Sequence, residues 1–590
     1  MRIPAVAALF LLAAAPLAAQ QPSPAAPAVH RSDAEITAAV DEYMTRIVPF
    51  GFSGSLLVAR DGKVLLEKGY GLADRAANTP YTARTASDIG SITKQFTAAA
   101  ILRLEMEGRL RVTDSIARYF PDVPADKRGI TIHHLLTHSS GLEGDFGGDY
   151  QVAARDSLVR VILASPPRWA PGTRYAYANA GYSLLGAIVE IVSGRPYEAY
   201  LREKLFLPAG MTRTGYSLPR WRPGEVAHGY RGGEDWGTAT EKAWAPDGQP
   251  WWNLRANGGI VSTVGDLYRW HRALEGTAIL SGEAKRKLFT PHVPEDGGES
   301  YYGYGWAIFT TSRGTKLIAH NGGNGVFFAD FRRYVDEGVV ILVMSNVAER
   351  NGELAEGQVT RIVFGMPFTQ PPAVAATPAD ALAPLAGTYR LDSGAALAVA
   401  PAEGGLRVTA DGPAAFALVT TGRLPDPAAT ALAERSAAIL RAAWAGDVAS
   451  FAAAASGGDP ARAAEAERLQ RESAAMWRER FGELKTVTPL GAADRGGRTD
   501  VTLRLEFERG ELFLRWTWAG ESLVNVAPVR QGPSAVFLRE PTGSFASYDL
   551  ASGRVVRLRF DGGALVFATG DGEVRATRSA DENPRASGGK

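Results

Sequence analysis

Ser91-Ile92-Thr93-Lys94 places a hydroxyl three residues ahead of an amine, a spacing that turns both side chains toward one face of a helix. That is a nucleophile beside a proton acceptor. A serine hydroxyl attacks a carbonyl only when a neighbour removes its proton. Lysine near pKa 10.4 is a poor base at neutral pH, and to serve as one it must be lowered by about three units, roughly 4 kcal/mol of differential interaction. Burial and a nearby cation supply such a shift for lysine. Ser587-Gly588-Gly589-Lys590 repeats the spacing, but a glycine-rich end is expected to fray and offers no cavity. Two further motifs occur once each: Tyr177-Ala178-Asn179, the only Tyr-x-Asn, and His320-Asn321-Gly322-Gly323, the only His-x-Gly. The first follows Pro171-Gly172-Thr173 and precedes a helical pattern, which suits presentation from a loop.

The elements that must carry these residues are legible in outline. Ile92, Phe96, Ala99, Ala100, Leu102 and Leu104 predict a largely buried helix over Ile92–Met106, ended by Gly108, with Ser91 at its mouth. Leu56-Leu57-Val58 and Val64-Leu65-Leu66 flank Asp61-Gly62, a hairpin signal that starts an antiparallel sheet. Further helices are expected at 132–137, 181–192 and 266–275, and a strand at Val339–Met344. A proline- and alanine-rich linker is read at residues 369–384. Beyond it, residues 385–590 read as a β region, with short strands at 385–419 and 533–578, interrupted by an α+β module at about 428–530. Within that module an alanine-rich helical stretch, about Ala428 to Leu484, precedes two strand-like runs, Asp500–Phe507 and Leu512–Trp518.

Composition narrows the partners. Lys plus Arg is 64 and Asp plus Glu is 63, so no basic or acidic excess points to a nucleic acid. Zero cysteines exclude disulfides, thiolate metal sites and a cysteine nucleophile. Residues 1–19, with Arg2 before an apolar run ending in small residues, read as a signal peptide, so the chain is expected to be exported to the periplasm or medium. No second apolar run has spanning length, so no membrane span is expected in the mature chain.

The three motifs, together with Leu135-Leu136-Thr137-His138-Ser139-Ser140-Gly141-Leu142, Pro171–Gly186, Asn257–Leu267 and Tyr302-Gly303-Tyr304-Gly305-Trp306, resemble one family. It is the serine hydrolases related to class C β-lactamases and low-molecular-weight penicillin-binding proteins, including D-aminopeptidases and esterases. The resemblance spans about Ile36–Phe368, and residues 30–368 are read as that domain. It implies an α+β fold in which helices flank an antiparallel sheet. It also implies that Ser91 is acylated, that Lys94 and Tyr177 handle its proton, and that Asn179 orients the site. By the same analogy the Ser91 and Gly323 amides form the oxyanion hole. Whether Lys94 or Tyr177 is the base stays open at this point. The β region resembles lipocalin-like barrels appended to D-aminopeptidase relatives, and its insert resembles NTF2-like domains.

One departure is informative. Members that bind β-lactams usually carry lysine where His320 stands, in a Lys-Thr-Gly type motif that is absent here. An unperturbed histidine is about a quarter cationic at pH 7, which weakens a fixed partner for a substrate carboxylate. The expected function is therefore an exported serine hydrolase acting on small-molecule or peptide substrates: esters, or amides of small acyl or D-amino-acid groups. A β-lactamase or D-Ala-D-Ala carboxypeptidase is the alternative, and a non-catalytic cell-wall-binding or sensor protein on the same scaffold is the alternative of another class. Gly322, Tyr304 and Trp306 are assigned to substrate binding, although aromatics among glycines also serve as strand packing. His133, His134 and His138 fall on one predicted helical turn without a convergent third ligand, so neither a metal nor a cofactor is expected.

Overall fold

A computed structural model describes residues 31–579 except 152, 243–250, 296–299, 348–350, 426, 495–497, 530–533, 551 and 571. The leader at 1–19 and the repeated spacing at 587–590 lie outside the described residues. The chain divides into two compact units, with the break between Phe368 and Thr369.

The first unit opens with α1 (Asp33–Ile47), whose start is fixed by a capping box between Ser32 and Glu35. β1 (Gly54–Arg60) and β2 (Lys63–Tyr70) pair through Asp61 and Gly62, both at positive φ, 50° and 77°. That left-handed pair is what a two-residue hairpin turn requires. A short 3-10 turn, Gly90–Ile92, then runs into α2 (Thr93–Met106). Later come α3 (Ile132–Leu136), α4 (Asn179–Ser193) and α5 (Val264–Glu275). The remaining strands of the main sheet are β3 (Val293–Pro294), β4 (Ser300–Tyr302), β5 (Ala307–Thr310), β6 (Lys316–Gly323), β7 (Phe328–Tyr334) and β8 (Val339–Ser345). They make one antiparallel sheet in the order β2-β1-β8-β7-β6-β5-β4-β3. β8, drawn from the end of the unit, lies beside β1 in register Leu57 to Leu342.

The hairpin, the helices and the last strand expected from sequence are all present. α2 is buried on every side from Thr93 to Leu102. Phe96 meets Phe206 edge-on at 5.0 Å and Trp270 at 5.0 Å. Side chains buried this fully contribute ~1.5–3 kcal/mol each. A helix without a solvent face must satisfy its polar side chains internally, and that requirement shapes the site.

The second unit contains a closed eight-stranded barrel: β9 (Gly387–Arg390), β10 (Ala396–Ala402) and β11 (Gly405–Asp411), continued after an insertion by Ser534–Arg539, Phe545–Asp549, Arg554–Asp561, Ala564–Thr569 and Gly572–Arg578. The insertion holds helices and a four-stranded sheet from Leu484 to Val529. Two readings need correction, at 413–421 and at Leu484, and the helical stretch between them is resolved in detail. Residues 413–421 form a helix, not a strand, because Pro413 opens it and Gly422 closes it at φ 69°. The alanine-rich stretch is three helices, Pro427–Trp444, Ala449–Ser456 and Pro460–Phe481, broken at Gly446 and Gly457. Leu484 begins a strand that sequence placed in the helix.

Candidate active site

Ser91 stands on the 3-10 turn ahead of α2, at the point where β6 ends. Gly90 takes φ 50°, and its N–H donates to Asp88 Oδ1 at 2.7 Å. The two segments touch backbone to backbone. A Cβ on Gly90 would lie 2.5 Å from the Gly323 nitrogen, and one on Gly322 would lie 2.5 Å from the Ser91 nitrogen. Only glycine permits that approach, and it sets the Ser91 and Gly323 amides side by side.

Lys94, one turn further along, is fully buried. Its Nζ lies 3.0 Å from Ser91 Oγ and donates to Asn179 Oδ1 and to the Asn257 carbonyl, both at 2.7 Å. A neutral amine has two protons, and these two acceptors use both. Its lone pair then faces the serine hydroxyl. Burial pushes Lys94 down to about 7, against the opposing charges of Asp145 and Asp149. Asn179 is oriented by its own Nδ2, which donates to Asp145 Oδ1 at 2.8 Å. A carboxylate only accepts, so the amide oxygen must turn toward the lysine.

Tyr177 is 39% exposed, yet its hydroxyl end is desolvated, which raises its pKa; the Ser91 hydroxyl bonds to it and opposes the rise. Its ring face lies 4.7 Å from Lys94 Nζ. Behind it sits His138, which sequence had grouped with His133 and His134 on one helical turn. α3 ends at Leu136, and His138 follows it at φ 54°. Its carbonyl accepts from Ala176 N–H at 2.8 Å and its Nδ1 from Ala178 N–H at 3.0 Å, bracketing the tyrosine. The rings of His138 and Tyr177 lie 4.2 Å apart.

His320 is 7% exposed. Its Nδ1 lies 2.6 Å from the Asn321 carbonyl and therefore carries the proton, while Nε2 accepts from the Tyr302 hydroxyl at 2.8 Å. Burial, followed by the charge of Lys94, pushes it down to about 3. The quarter-cationic histidine expected of an exposed ring is thus corrected to a neutral one.

The structure brings together Ser91, Lys94, Tyr177, Asn179, Gly322 and Gly323, with His320 behind the tyrosine wall. It does not bring Tyr304 and Trp306 to a substrate surface. They are 2% and 0% exposed, and Tyr304 is bonded to His133 Nδ1 at 2.7 Å while Trp306 packs on Phe331 at 5.2 Å. Both belong to the core: they lie in the link between β4 and β5, where Gly305 at φ 73° turns the chain so that the two rings pack inward. Sequence reasoning missed Asp88, His138, Asn257 and Asn324. Three of these sit within or beside quoted motifs, which was the only available signal. Among the described residues, no group of three or more metal-binding side chains gathers, and no helix is long and apolar enough to cross a membrane.

A buried lysine poised beside a serine, with two amides converging at the same turn, defines a serine hydrolase of the class C β-lactamase and penicillin-binding-protein type. Residues 51–363 match the beta-lactamase family, and the chain belongs to it. It is 28% identical over 338 residues to a penicillin-binding protein of Bacillus subtilis (strain 168), covering 54% of this chain and 74% of that one. Among solved structures, a penicillin-binding protein from Bacillus halodurans is 27% identical, with a TM-score of 0.47 over 54% of this chain and 98% of the other. An octameric penicillin-binding protein homologue from Pyrococcus abyssi is similar over 91% of this chain and 98% of its own, at 19% identity and TM-score 0.50. That likeness is one of fold.

Proposed function

We propose that this enzyme hydrolyses esters, or amides of small acyl or D-amino-acid groups, through an acyl-enzyme on Ser91. The observation that carries the reading is Ser91 Oγ at 3.0 Å from a Lys94 Nζ whose burial holds it near 7. Of the two candidate bases, lysine is shifted toward neutrality and tyrosine away from it, so Lys94 takes the proton. Ser91 Oγ then bonds to the carbonyl carbon, and the carbonyl electron pair moves to oxygen between the Ser91 and Gly323 amides. Collapse expels the alcohol or amine, which receives the proton from Lys94 through the Tyr177 hydroxyl. Water repeats the sequence and frees Ser91.

Substrate class follows from charge. With His320 neutral, no fixed cation stands at the position where β-lactam binders usually carry lysine, which favours uncharged acyl groups over carboxylate-bearing lactams. The penicillin-binding relatives support the second reading, acylation by β-lactams. Export through the 1–19 leader, a lipocalin-like character for the barrel and an NTF2-like one for its insert complete the proposal. Labelling with a fluorophosphonate, followed by assays on aryl esters, D-aminoacyl anilides and penicillins, tests it. Ser91 labelling with turnover of the first two is expected. Faster turnover of penicillins would overturn the narrowing, and a label without turnover would favour a binding protein.

A further inference from the structure

The amides of Ser91 and Gly323 come from segments more than 230 residues apart in sequence. Something must hold them at one spacing. We infer that Asp88 and Asn324 form a clamp that fixes the separation of these two amides, making both of them positioning residues for acylation. The inference rests on the acyl-enzyme reading above.

Asp88 is 1% exposed, and its backbone is anchored by pairing Ser87–Asp88 with Val261–Ser262. Its two carboxylate oxygens face opposite ways. Oδ1 accepts from Gly90 N–H at 2.7 Å, which fixes the Ile89–Gly90 peptide, one ahead of the peptide that carries the Ser91 amide. Oδ2 accepts from Asn324 Nδ2 at 3.0 Å. Asn324 Oδ1 in turn accepts from the N–H groups of Val326 at 3.0 Å and Phe327 at 2.8 Å, pinning the turn that leaves Gly323. Nδ2 also donates to the Tyr150 hydroxyl at 2.8 Å. Because the amide oxygen is committed to two N–H groups, the amide nitrogen has to face the carboxylate. One bridge thus runs from the peptide before Ser91 to the turn after Gly323. It matters because oxyanion donors act only at about 2.7–3.1 Å from the developing charge, and a misplacement of ~1 Å costs on the order of a hundredfold in rate.

Exchanging the two partners tests the clamp in the full-length enzyme. D88N alone sets two amide NH2 groups against each other, and N324D alone sets two carboxylates together. Each is expected to lower kcat on an aryl ester by ~10- to 100-fold, with KM changed less than about threefold. The double exchange D88N/N324D restores one donor and one acceptor and still serves the Gly90, Val326 and Phe327 amides. It is expected to recover kcat to within about fivefold of wild type. Wild-type kcat in either single variant, or no recovery in a double variant that melts like wild type, overturns the clamp. Should a single exchange fail to fold, N324A removes the bridge with less repulsion, and an unchanged kcat in folded N324A has the same force. Mass spectrometry of the wild-type acyl-enzyme comes first. Its absence would overturn the acyl-enzyme reading and the clamp together, whereas acylation with unaffected variants overturns the clamp alone.

Discussion

Lys94 carries the heaviest chemical demand. It must be neutral to accept a proton, and the burial that lowers it to about 7 also makes the enzyme pH-dependent. Below that value Lys94 is protonated and cannot act, so kcat/KM should rise about tenfold per pH unit on the acid side and level off above about 7. A pH–rate profile on a non-ionising aryl ester checks this, and K94A should lose ~10²–10⁴ in kcat/KM with no such limb. His138 offers a second prediction. H138N keeps an acceptor for Ala178 N–H and tolerates φ 54°, whereas H138F keeps the ring and leaves that amide unpaired. Thermal melts should show H138F less stable by ~1–3 kcal/mol, with H138N the milder of the two. Ser91 and Lys94 were legible because a hydroxyl one helical turn from an amine states a chemistry, whereas Tyr177 and Asn179 took their roles from the resemblance to the family. His138 was not. Its partner lies 40 residues away, and nothing local distinguishes it from a surface histidine.

At the scale of elements, the junction between the end of β6 and the turn before α2 decides whether the oxyanion amides meet. A Cβ at Gly322 would sit 2.1 Å from the Ile89 carbonyl and 2.5 Å from the Ser91 nitrogen, all of it backbone. G322A should therefore push the two elements apart, costing ~1–3 kcal/mol of stability and on the order of a hundredfold in kcat. Calorimetry and steady-state rates read the two effects separately. The first hairpin was readable because the Asp61-Gly62 turn acts locally, and α2 because its apolar-rich run up to Gly108 is too long for a strand. Pairing β8 with β1 is a long-range choice that no window of sequence contains. The strand opening at Leu484 was missed although Gly482, at φ 83°, ends the helix at Phe481 and supplies a local stop signal. Tyr304 and Trp306 were misplaced because an aromatic run with glycines does not say which of its side chains the fold buries.

Across the whole molecule, the hydrolytic residues all fall before Phe368, in a unit with its own core. The second unit has separate cores in its barrel and in its insert. A chain ended at Phe368 is therefore expected to fold and to keep the pH–rate profile of the full protein. Loss of that profile in a soluble truncated chain would assign the second unit a part in catalysis.

In the proposed mechanism Ser91 is acylated with Lys94 as its base. Acid-quenched mass spectrometry of the intact protein, taken within the first turnovers of an activated aryl ester and followed by peptide mapping, reads it directly. One acyl group is expected on the peptide bearing Ser91, formed far more slowly in K94A and absent in S91A. An adduct on another residue, or undiminished hydrolysis by S91A, would contradict it.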